Sequence, residues 1–161
     1  MGIIIAASRM RHPLDARTLA RLAVRSSDTI IGFGLSNDER RGDTREFAPA
    51  FRIARNGGLA SVPHGGELLG PPHITEVLEN LQPDRLGHGV RSIEDPRLLD
   101  RVVSEGIALE VCPASNVALG VYSDTDAVPL PGLVRAGAQI ALSADLMIEV
   151  RPTDSISAIA G

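Results

Sequence analysis

His64-Gly65-Gly66-Glu67, Gly87-His88-Gly89 and a distant Asp145 are the reactive groups of this chain that stand at telling intervals. Each lies at the end of a short apolar run that reads as a strand. A neutral imidazole at His64 is a good zinc ligand. Glu67 is placed to act as a general acid or base, given a pocket dry enough to raise its pKa. The glycines after His64 allow a tight exit from the strand and let a ligand approach the backbone at Gly66. Asp145 ends an apolar strand and needs a charge partner if buried, which a metal supplies. Each residue also has a plainer reading. His64 reads as a turn histidine, Glu67 as a first-turn glutamate favoured by the helix dipole, and His88 as a histidine bonded to a carbonyl. Asp145 reads as the partner of an arginine or a helix cap. The chain contains no His-x-His pair, and its four histidines (12, 64, 73, 88) are scattered. These groups read as most of an active site, with a set of metal ligands that is expected to be incomplete.

The elements that position these groups alternate. Apolar runs at Ile3–Ala6, Thr29–Phe33, Leu59–Val62, Arg85–Gly87, Ile107–Cys112 and Gln139–Ser143 predict six strands. The first is a continuous apolar run, as in a strand covered on both faces. Between the strands, apolar residues recur at helical spacing: Leu19, Leu22 and Ala23, then Phe47, Ala50, Phe51 and Ala54. The pattern continues with Ile74, Val77, Leu78 and Leu81, then Leu99, Val102 and Val103, then Leu130, Leu133 and Val134. Pro72 and Pro96 open two of these helices, and Gly57-Gly58 closes another. Six such units with short connections predict a parallel sheet. Arg11-His12, Asn37-Asp38, His64-Glu67, His88, Ser115-Asn116 and Asp145 then share the rim at the carboxyl ends of the strands, where a (β/α)8 barrel builds its active site. The absence of a glycine-rich dinucleotide fingerprint disfavours an open doubly wound sheet. Asn37 to Arg45, rich in both charge signs, reads as a solvated surface loop.

Composition narrows the function. A length of 161 residues suits one domain, and 43% hydrophobic content with 2% aromatic places the core on Leu, Ile, Val and Ala. A net charge of −4 argues against nucleic acid as a partner. The single cysteine excludes an internal disulfide and fits a reducing cytoplasm. No apolar stretch is long enough to span a membrane, and the N-terminus lacks the basic and long apolar regions of a signal peptide.

Three blocks carry a family resemblance: Gly-Gly-Leu-x-x-x-x-His-Gly-Gly-Glu ending at Glu67, Leu86-Gly87-His88-Gly89 with Glu94-Asp95-Pro96, and Leu109-Glu110-Val111-Cys112-Pro113-Ala114-Ser115-Asn116. Together they resemble the adenosine/adenine deaminase family over about residues 1–145. The resemblance implies a TIM barrel and zinc-dependent hydrolytic deamination of a 6-aminopurine, either a purine base or a nucleoside. By it, His64 and Asp145 are zinc ligands, Glu67 protonates the purine ring nitrogen, and His88 orients and helps deprotonate the zinc-bound water. Gly34 and Asn37 stand where adenosine-type members often carry Asp and Gly, so Asn37 joins Gly66 as a substrate-contacting candidate. That pattern leans toward adenine or a modified 6-aminopurine nucleoside such as aminofutalosine. A different metal-dependent amidohydrolase would share the rim but not the Cys-Pro-Ala-Ser-Asn block.

The resemblance also sets expectations about extent. The family's His-x-His pair lies on its first strand, so the chain is expected to begin at the third barrel strand, a partial barrel over residues 1–145. Leu146 stands where the family has a second aspartate, and residues 146–161 read as a divergent tail. A partial barrel leaves sheet edges open, which predicts self-association. The alternative to an active enzyme is a non-catalytic remnant, or one part of a split deaminase that needs an N-terminal partner.

Overall fold

The computed structural model of the chain describes residues 2–143. Asp145 and the tail at 146–161 lie outside the described residues. Six strands run in parallel: β1 (Ile3–Ser8), β2 (Ile30–Ser36), β3 (Ala60–Gly65), β4 (Arg85–His88), β5 (Ala108–Val111) and β6 (Ile140–Leu142). Their order across the sheet is their order in the chain. A doubly wound sheet reverses direction at a switch point. Here every strand lies beside its predecessor, which is the winding of a TIM barrel. The fold is α/β, six parallel strands of such a barrel with flanking helices.

Helices α1 (Pro13–Arg25), α2 (Thr44–Asn56), α3 (Pro71–Leu81), α4 (Pro96–Ser104), α5 (Pro113–Ala118) and α6 (Leu130–Arg135) return the chain between strands. Their starts are encoded locally. His12 caps α1, Asp43 caps α2 and Asp95 caps α4, each accepting from a backbone N–H of the first turn. Prolines occupy the first turn of α1, α3, α4, α5 and α6, where the missing N–H is no loss. The short α5 lies in a stretch that the apolar pattern leaves unassigned.

The core rests on aliphatic side chains, with the three phenylalanines as its largest members. Phe33 of β2 and Phe51 of α2 meet edge to face at 5.2 Å, with Phe47 buried on the same helix. Ile74, Val77, Leu78 and Leu81 of α3 are all buried, as their spacing predicts.

Four expectations need correction. The first strand is not covered on both faces, because Ile3 and Ile4 are 47% and 43% exposed on a strand that pairs only with β2 among the described residues. Leu22 is exposed on α1, which buries Ala16, Ala20 and Ala23 instead, and small side chains let α1 pack closely on its neighbours. Val134 is likewise exposed, while Leu133 carries the buried face of α6. The stretch at 37–45 is not wholly solvated, since Glu39 and Thr44 are buried while residues 40–43 face water.

Candidate active site

The site is built where β3 and β4 end side by side. The register pairs His64 with Gly87 and Gly65 with His88. His64 therefore lies within β3 rather than beyond it, and His88 is the last residue of β4. Gly87 makes the pairing possible, because a Cβ there would sit 2.5 Å from Cδ2 of the His64 ring. Gly66 leaves the strand at a φ of +83°, a left-handed conformation that glycine alone adopts freely. A Cβ at Gly66 would also meet Ile74 at 2.5 Å.

His88 holds a φ of +70° with a full side chain, a strained conformation that costs on the order of 1–3 kcal/mol and collects at functional sites. Its ring is buried and stands perpendicular to that of His64, with centroids 4.5 Å apart. His88 Nε2 lies 3.3 Å from His64 Nδ1, and His88 Nδ1 lies 3.3 Å from Glu67 Oε1. Burial, aided by the neighbouring His64, pushes the His88 pKa down to about 3. The ring is thus neutral near neutral pH, able to donate at one nitrogen and accept at the other.

Glu67 is buried, and two donors converge on the oxygen that faces His88. Ser115 Oγ donates to Oε1 at 3.0 Å and Asn116 Nδ2 at 3.4 Å. Both sit in the first turn of α5, which Pro113 opens, so the helix start at the end of β5 delivers them to the carboxylate. His64, Gly66, Glu67 and His88 are thereby brought together. Asn37 stands at the end of β2 with a φ of +75°, its side-chain amide donating to Ser8 Oγ at 2.8 Å across to β1. Of the other rim residues, His12 is a cap, and Asp38 pairs with Arg40.

Two charged residues that the apolar pattern does not reveal hold the backbone of the turn. Arg9, 2% exposed, donates from Nη2 to the His64 carbonyl and from Nη1 to Thr44 Oγ1, both at 3.0 Å. His73, buried on α3, lies 3.5 Å from the same guanidinium. Glu39, 3% exposed, accepts the backbone N–H groups of Glu67, Leu68 and Leu69. Nothing in hydrophobic periodicity marks a buried charge. The only sequence signal was the acidic pair Asp38-Glu39 directly after a strand.

Beside the turn lies a cleft of about 370 Å³, lined by Leu68, Val121, Tyr122, Arg40 and Arg91 among others. Both guanidinium groups are paired, Arg40 with Asp38 and Arg91 with Glu94 and the Leu68 carbonyl.

The described residues do not complete a metal centre. No three His, Cys, Asp or Glu side chains among them are grouped to hold an ion, whereas catalytic zinc usually has three protein ligands. His64 is the one expected ligand among the described residues, and Asp145 lies outside them.

The sequence matches the adenosine deaminase family model over residues 1–151, and the chain belongs to that family. It is 60% identical over 146 residues to a Streptomyces coelicolor protein whose name assigns it provisionally to the adenosine/adenine deaminases, covering 90% of this chain and 43% of that protein. It is 42% identical to an adenine deaminase of Agrobacterium fabrum, covering 86% of this chain and 38% of that one. Among solved structures, the adenine deaminase of Arthrobacter aurescens superposes with a TM-score of 0.82 at 30% identity, covering 89% of this chain and 44% of that chain. An Arabidopsis protein, ADAL, solved with IMP, shares the fold with a TM-score of 0.80 at 24% identity, covering 89% of this chain and 42% of that chain. The chain spans under half the length of each of these relatives.

Proposed function

We propose that the protein of which this chain carries the family blocks deaminates a 6-aminopurine by hydrolysis, with Glu67 and His88 as its proton-handling residues. One observation carries this reading. Glu67 Oε1 is held by Ser115 and Asn116 and lies 3.3 Å from a neutral His88 whose other ring nitrogen faces His64. A carboxyl group and a neutral imidazole so joined can pass a proton between water and a ring nitrogen. In the reaction, water adds at the amine-bearing ring carbon, and Glu67 gives a proton to the adjacent ring nitrogen and is restored by one proton of the water. The water's second proton passes to the amine, which leaves as ammonia while the carbon keeps the oxygen as a carbonyl. His88 orients the water.

Zinc belongs to the proposal as the group that makes water a nucleophile at neutral pH. His64 and Asp145 are its proposed ligands. The described residues supply only the first, so the proton chemistry rests on Glu67 and His88 alone. The proposed substrates are adenosine, adenine or a modified adenine nucleoside. Asn37 and Gly66 are proposed to contact the purine at the rim.

The test is ammonia release from adenine, adenosine and modified adenine nucleosides by the zinc-supplemented chain, beside Glu67→Gln. Deamination lost by roughly a thousandfold or more in Glu67→Gln is expected for removal of a general acid. Turnover that Glu67→Gln leaves intact would remove Glu67 from the chemistry. A second reading is favoured by the ligand count among the described residues, namely a chain active only with an N-terminal partner. It predicts turnover only when a segment bearing a His-x-His pair is added in trans.

A further inference from the structure

We propose that Glu39 is a positioning residue for Glu67, acting through the backbone of residues 67–69. The inference rests on the deaminase reading of the site. Glu39 Oε1 accepts the Glu67 N–H at 3.0 Å, and Oε2 accepts those of Leu68 and Leu69 at 3.0 and 2.9 Å. Three consecutive N–H groups turned toward one carboxylate form a concave anion cradle, here filled by the chain's own side chain. From the other side, Arg9 grips the carbonyl of His64.

The segment between these grips needs them. Gly65 and Gly66 carry no side chains to pack, and a left-handed glycine has many alternatives open to it. Left to itself, such a turn would not keep the Glu67 carboxylate against Ser115 and His88. With the His64 carbonyl tied to a buried cation and the following amides tied to a buried anion, the turn has one arrangement. The two anchors also attract each other electrostatically, and both are almost wholly shielded from water, where that attraction is weakly screened.

Glu39→Gln preserves the shape but replaces one acceptor oxygen with an NH2 group that cannot accept, so at least one of the three amides loses its partner. The experiment uses the isotopically labelled full chain. Hydrogen exchange at Glu67, Leu68 and Leu69 is expected to quicken about tenfold or more, as loss of one hydrogen bond allows, while the amides of α2 stay protected. The side-chain NH2 signals of Asn116, which touches Glu67 Oε1, are expected to shift. With an aminopurine substrate, kcat is expected to fall about tenfold or more with KM nearly unchanged, because an interaction that serves the transition state is lost. Unchanged exchange and unmoved Asn116 signals would overturn the inference, as would a loosened turn with full kcat. If the wild-type chain turns over no aminopurine, alone or with a His-x-His segment added in trans, the deaminase reading alone fails, and the amide and Asn116 signals still decide whether Glu39 holds Glu67. Should Glu39→Gln not fold, Glu39→Asp, with both oxygens on a shorter stem, is read by the same signals.

Discussion

His88 concentrates the physical chemistry of this chain in one side chain. It is strained in its backbone, buried in its ring and placed between His64 and Glu67. Burial also holds His73 below the ordinary histidine value of 6.5, with Arg9 working in the same direction and Glu39 against it. The consequence for stability has a definite sign. Both histidines are neutral in the folded chain at a pH where the unfolded chain protonates them, so the unfolded state binds more protons below about pH 6.5. Neither contributes above that pH. Stability is therefore expected to fall as the pH drops below 6.5, with a His88 slope that approaches about 1.4 kcal/mol per pH unit and a further loss in the same direction from His73. For His88 the loss continues toward pH 3. Urea unfolding at about pH 7.5 and about pH 5 measures the slope. His73→Asn should make it shallower, and an unaltered slope in that variant would show that His73 is not held neutral.

Among the elements, the β3–β4 pair does most to make the site. The two strands are short, and their glycines let side chains and backbone approach where larger residues would collide. Gly66→Ala tests this with two independent costs: a φ of +83° and a Cβ 2.5 Å from buried Ile74. The left-handed backbone alone costs about 1–2 kcal/mol for an L-residue, and forced repacking of Ile74 adds about 1–3 kcal/mol. Denaturant midpoints should report the sum, and a change within about 0.5 kcal/mol, typical of an exposed surface site, would contradict the geometry. Gly87 guards the chemistry rather than the turn, because its Cβ would strike the His64 ring itself.

On the scale of the whole chain, the described sheet ends in β1 on one side and β6 on the other, each paired with a single neighbour. Around β1, Ile3, Ile4 and Ile31 are 47%, 43% and 55% exposed. An exposed apolar strand with unpaired backbone groups templates association. We expect concentration-dependent self-association of this chain in sedimentation experiments, reduced by Ile4→Lys, since charge on an edge strand blocks pairing. A single species across the concentration range would place that surface outside any interface. No described helix is long and apolar enough to cross a membrane.

Much of this was determined by the sequence alone, because the controlling forces are local. The parallel sheet follows from apolar runs that alternate with helical patterns, and the reactive residues that follow those runs point to one rim. The starts of α2, α3 and α4 follow from Asp43, the Pro71-Pro72 pair and the Asp95-Pro96 pair, which act on their own first turns. His64, Glu67 and His88 stood out because glycines flank them, and the structure brings those three together. Other features were decided only in three dimensions. Glu39 and Arg9 lie 28 and 55 residues from their backbone partners at Glu67 and His64, and Ser115 lies 48 from Glu67. A charged residue written in a polar stretch looks the same whether it faces water or backbone amides. Burial of a charge depends on what the fold delivers to it, and only the stacked ends of parallel strands bring a carboxylate from one loop under the amides of the next.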